Sequence, residues 1–151
     1  MERYTRMVKI LLLLFSSLFF SFCSNKDNPS IYDPDALRVA GKYKAVTFIL
    51  PGLHDNPIDI IELDGFINIE LFLDYSVKGK WSIPKTSELS YSGFEEDIVG
   101  SFSIRNDSLQ FIGMNNVISH PQIYYIIKED SLKAYFGGIP FPATIIELVK
   151  D

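Results

Sequence analysis

From Val39 onward, apolar side chains recur at every second position rather than at the 3.6-residue spacing of a helix. In FINIELFLD, residues 66–74, Ile67, Ile69, Leu71 and Leu73 share one face, with Asn68, Glu70 and Asp74 on the other. SVKGKWSI sets Val77, Gly79, Trp81 and Ile83 against Lys78, Lys80 and Ser82, and DIVGSFSIR sets Ile98, Gly100, Phe102 and Ile104 against Asp97, Ser101, Ser103 and Arg105. Between these runs stand DYS at 74–76, NDS at 106–108, EDS at 129–131 and GG at 137–138. Their Asp and Ser side chains bond the turn backbone, and glycine turns freely. Half-buried strands joined by tight turns are the only regular structure this pattern supports.

The pattern predicts eight strands, near 41–50, 66–74, 77–83, 96–104, 108–113, 120–128, 131–137 and 142–149. No stretch carries a helical stripe. IDIIELDG, 58–65, reads as one helical turn or an irregular entry to the second strand, and KTSELSYSGFEE, 85–96, as a surface loop. SIRNDSLQFIG and IIKEDSLKAYFGG use the same strand–Asp-Ser-Leu–strand grammar, so Asp107 and Asp130 are expected at the tips of separate hairpins. Short strands paired in sequence order form a meander, and eight of them close into an antiparallel up-and-down barrel without exposed edges. The expected fold is therefore all-β, closed where 142–149 meets 41–50.

The N-terminus is an address rather than structure. Arg3, Arg6 and Lys9 precede ILLLLFSSLFFSF, thirteen uncharged residues. A membrane span needs about 20, whereas a charged segment followed by a short apolar one is the layout of a secretory signal. Residues 1–22 are read as a signal peptide, 23–38 as a flexible tether rich in Asn, Asp, Pro and Ser, and 39–151 as the domain. Cys23, the single cysteine, stands at the signal boundary. There it resembles the cysteine of a bacterial lipoprotein signal, whose acylated thiol becomes the new N-terminus. The implied place is the cell envelope, with the membrane as partner through the lipid; cleavage after Cys23 would instead release a secreted protein. With no second cysteine, no disulfide staples the domain.

Gly41-Lys42-Tyr43 resembles the Gly-x-Trp opening of lipocalins, with Tyr in the place of Trp. Leu73-Asp74-Tyr75-Ser76-Val77 with Gly79, Ile83-Pro84, Val99-Gly100-Ser101-Phe102, Asp107-Ser108-Leu109 with Phe111, and TIIEL at 144–148 are similar to the bacterial lipocalin-like domains of small lipoproteins. The resemblance implies the barrel fold and carries no particular ligand.

The residues point away from catalysis. His54 sits in what reads as a loop and His120 at the start of the strand expected at 120–128, both read as exposed, with no His-x-His or Glu-x-x-His spacing for a metal. Glu95-Glu96-Asp97 reads as a solvated face, and no nucleophile elbow, phosphate loop or dinucleotide fingerprint occurs. No cofactor is expected. The net charge is -5, of which residues 1–22 contribute +2, leaving -7 on the remainder. So acidic a domain is a poor partner for nucleic acid.

Trp81, Phe102, Tyr125 and Phe136 fall on the inward parity, where they either line a cavity for a small apolar ligand or fill the barrel. Gly79 and Gly100 share that parity, so side-chain volume is expected to be missing beside Trp81. Phe72, Tyr124, Ile126 and Tyr135 are sent outward. Two functions follow: a non-catalytic binding domain whose ligand or envelope-protein partner is unknown, or a structural or inhibitory lipoprotein with a filled core acting through its outer surface.

Overall fold

The alternating runs pair with their sequence neighbours, because each antiparallel hairpin buries one face while its two-residue turn holds the register. The computed structural model describes residues 32–53, 56–89, 92–114, 116–138 and 141–151. Its strands are β1 (Gly41–Pro51), β2 (Pro57–Asp59), β3 (Phe66–Leu71), β4 (Ser76–Ile83), β5 (Phe94–Arg105), β6 (Ser108–Ile112), β7 (Tyr125–Lys128), β8 (Ser131–Gly138) and β9 (Phe141–Lys150). They lie in the order β2-β1-β3-β4-β5-β6-β7-β8-β9, and β9 also pairs with β1. Eight strands thus close an antiparallel up-and-down barrel. The three-residue β2 extends the wall beside the far end of β1.

Closure runs through Tyr43↔Lys150 to Ile49↔Ile145, with a bulge at Val46 between Ala45 and Thr47. Asp107 and Asp130 occupy hairpin tips, each within two residues flanked by a closing pair, Arg105↔Ser108 and Lys128↔Ser131. Asn106 and Glu129, the first residue of each turn, have φ of 56° and 43°. A positive φ there marks the primed turns whose twist matches that of the strands. At the β3–β4 turn, Asp74 Oδ1 accepts from the Ser76 N–H at 3.0 Å, which stops β3 at Leu71 rather than at 74.

Two short helices depart from the sequence reading. α1 (Pro34–Val39) occupies residues expected in the tether. Asp33 caps it, its carboxylate accepting the Asp35 N–H at 2.9 Å, and Pro34 supplies the preset φ of a first helical turn. Ala36 and Val39 are fully buried, and the Tyr43 hydroxyl donates to the Val39 carbonyl at 2.8 Å. Arg38 reaches Asp107 and the Asn106 carbonyl, each at 2.9 Å, while Tyr75 donates to Asp33 at 2.6 Å. α1 is therefore fastened to two hairpin tips at one end of the barrel. Six residues are too few to show a periodic stripe.

The second, α2 (Asn116–Ser119), precedes a turn in which the Ile123 N–H bonds the His120 carbonyl. Pro121 has no N–H for a ladder, so the strand expected at 120–128 begins only at Tyr125. As a result β6 and β7 share just two ladder pairs, Ser108↔Ile126 and Leu109↔Tyr125. Ile118 and Ile123 are buried beside this seam, and the Tyr125 hydroxyl donates to the Ile118 carbonyl at 3.1 Å. Of the two readings of 58–65, residues 60–64 take the helical-type turn, closed by the Gly65 N–H on the Ile60 carbonyl, while 58 and 59 belong to the unexpected β2.

Among the described residues the core contains no buried charged or polar residue. It runs continuously from Val39 at the α1 end to Trp81, Ile83 and Leu89 near the 84–93 loop.

Candidate functional site

Alternation on β4, β5, β7 and β8 delivers the four interior candidates as follows. Trp81, Phe102 and Tyr125 are buried, whereas Phe136 is half-buried at the margin of the core. They do not converge on one space. Trp81 packs edge-on against Phe94, with ring centroids 4.8 Å apart, and tilted against Phe48 at 6.3 Å. Phe102 meets Tyr75 at 5.2 Å, Tyr125 meets Phe111 edge-on at 4.9 Å, and Phe136 meets His120 at 4.9 Å. Each aromatic has its own neighbour, as in a filled interior.

The paired glycines do not leave the expected gap. A Cβ on Gly79 would collide with the Asn68 carbonyl oxygen and lie 2.8 Å from Ile69 Cα. One on Gly100 would stand 2.6 Å from both the Ile112 carbonyl oxygen and Met114 Cγ. The volume is taken by neighbouring backbone and by Met114, so these glycines permit close strand approach. One polar group in this interior has no partner: the indole N–H of the fully buried Trp81. Burial also raises the phenols of Tyr43, to about 12 with help from the charge of Asp130, and of Tyr125, well beyond its ordinary value.

The positions examined for chemistry are dispersed. His120 is half-buried against Phe136 rather than exposed, and its Nδ1 accepts from the Gln122 N–H at 3.3 Å. His54 and Cys23 lie outside the described residues. Glu95, Glu96 and Asp97 stand on β5 instead of a loop, with Lys80 Nζ 3.4 Å from Glu95 and 3.7 Å from Asp97. Among the described residues no three His, Cys, Asp or Glu side chains gather as metal ligands.

The outer wall around the β6–β7 seam differs. Tyr124 just ahead of β7, Ile126 on β7 and Tyr135 on β8 are 54%, 51% and 66% exposed, whereas Phe72 is half-buried beneath Lys78. Beside them Ser103, Ile104, Arg105, Ser108, Gln110 and Tyr124 line a depression of about 380 Å³. The sequence flagged the three apolar residues through alternation. It did not flag Arg105, Ser108 or Gln110, although their outward parity on either side of the Asn106-Asp107 turn was the available signal. In comparisons with known proteins, no family model, no curated protein and no solved structure matches this chain.

Proposed function

We propose that this protein is a lipid-anchored domain of a bacterial cell envelope, lipocalin-like in kind, which binds without catalysing and works through its outer surface. The observation that carries the surface role is the trio Tyr124, Ile126 and Tyr135, large apolar side chains held in water on, or just ahead of, neighbouring strands. Aromatic residues on a rigid wall suit a binding surface, since they lose little conformational freedom on contact. The anchor rests on the charged and apolar signal followed by Cys23. One acyl chain holds a protein only marginally, so the anchored form needs two or more. Cys23→Ala is expected to move the protein from the membrane fraction to the soluble one, or to stall its processing; an unaltered distribution contradicts the anchor.

A second reading is favoured by the unpartnered Trp81 N–H, which an internal ligand with an acceptor group would satisfy. Trp81 is the only tryptophan, so its fluorescence reports on the interior. Titration with a fluorescent fatty acid is expected to leave that emission unchanged. Saturable quenching at one probe per protein would make the domain a carrier.

A further inference from the structure

We infer that the depression between β5, β6 and β7 is a binding site for an acidic saccharide, a pyranose ring bearing a carboxylate. This inference rests on the outer wall being the working surface. Register assembles the site: Ser103 faces Gln110 and Arg105 faces Ser108 across β5–β6, and Ser108 faces Ile126 across β6–β7. Tyr124 forms one wall of the resulting volume of about 380 Å³, which lies within the range of about 300–1,000 Å³ typical of small-molecule sites.

The donors and acceptors choose the ligand. Arg105 has no ion-pair partner among the described residues, whereas Arg38, Lys44, Lys80 and Lys133 each pair with a carboxylate. A free guanidinium on a chain whose residues 23–151 carry a net charge of -7 is a fork that fits one carboxylate. A single cation in so acidic a surrounding does not hold a phosphate chain. Gln110 Nε2 donates to the Pro121 carbonyl at 2.7 Å, which fixes the amide and leaves its oxygen as an acceptor. The Ser103 and Ser108 hydroxyls both donate and accept, as ring hydroxyls require. The exposed face of Tyr124 suits the C–H face of a pyranose.

Two other depressions among the described residues lack this set. The one at the β7–β8 tip combines Lys128 with Glu129 and Asp130, and the one over β3 and β4 combines Lys42 and Lys78 with Glu70 and Asp151. In each the cations are matched or outnumbered by carboxylates, and neither has an exposed aromatic wall. A peptide strand would seek several apolar pockets, and here the only aliphatic lining residue is the half-buried Ile104.

The test is calorimetric titration of the purified protein with galacturonate and with galactose as its neutral counterpart. The acidic sugar is expected to bind saturably, more weakly as salt is raised, and the neutral one at least about tenfold more weakly. Arg105→Gln and Tyr124→Ala should each lower the affinity by more than about tenfold, the scale of one charge-assisted hydrogen bond. Lys128→Gln, outside the groove, should leave it unchanged, and all three variants should melt with the wild type. Absence of saturable binding, equal binding of both sugars, or binding indifferent to Arg105→Gln overturns the inference. A Glu-rich peptide that binds as tightly through Arg105 and Tyr124 also overturns it, in favour of a protein partner. Fatty-acid quenching of Trp81 would defeat the filled-core reading while leaving this titration intact, so the two failures are distinguishable.

Discussion

Trp81 concentrates the interior energetics in one side chain. Its ring is fully buried between Phe48 and Phe94, while its N–H has no acceptor. Truncating a large buried aromatic costs about 3–5 kcal/mol, so Trp81→Ala should lower the urea-unfolding free energy by that amount. A buried donor left unpaired carries a penalty of about 1–3 kcal/mol, and Trp81→Phe removes it together with part of the ring. Trp81→Phe should therefore cost less than half of what Trp81→Ala costs. Equal losses in the two variants would show that the N–H finds a partner in solution. Parity alone placed Trp81, Phe102 and Tyr125 inside. What filled the space beside Gly79 was not legible, because it is the Asn68 carbonyl of a separate strand, delivered by the coiling of the sheet.

At the scale of the element, the seating of α1 depends on pH. The bond from the Tyr75 hydroxyl, then the Asp35 N–H, holds the Asp33 carboxyl below its ordinary value. The same bond to Asp33 pushes the Tyr75 phenol up to about 12 from 10.0. A depressed carboxyl contributes stability above its unfolded pKa that is lost as pH falls through the folded value. A raised phenol contributes stability below about 10 that is lost as pH rises through about 12. Docking of α1 should thus weaken at both acidic and strongly basic pH. Asp33→Asn keeps a competent helix cap but removes the charge. It should bring the Tyr75 phenol back towards its ordinary value in an ultraviolet titration and flatten the acid limb of the melting temperature. Asp33→Ala should in addition lower the melting temperature, because the helix cap is lost with the carboxylate. An unchanged phenol titration in both variants would show that α1 is not seated on Tyr75.

At the scale of the whole molecule, closure decides whether the chain is a monomeric barrel. β9 pairs with β8 on one side and β1 on the other, and it buries Ile146 and Leu148. A chain ending at residue 138 loses both ladders and leaves two long open edges, the usual route to aggregation. Such a truncation should yield aggregated protein without a cooperative melt, as read by size-exclusion chromatography and circular dichroism. A folded monomer would show that closure is dispensable.

Alternation and turn chemistry are local, so eight strands, their inward faces, the tips at Asp107 and Asp130 and the order of pairing were readable from the chain, whereas β2 and the late start of β7 were not. The closing of β9 on β1 followed, since a meander of eight half-buried strands can remove its exposed edges by closing on itself. Tertiary structure alone decided the rest. α1 acquires its place from Asp33 and Tyr75, 42 residues apart, and from Arg38 and Asp107, 69 apart. The groove exists because Pro121 delays the start of β7 to Tyr125 and register carries Arg105, Gln110 and Tyr124 to one spot. A period of two says which side of the wall a residue occupies. Where it stands on that side depends on pairing and stagger, which belong to the closed sheet and to no single segment.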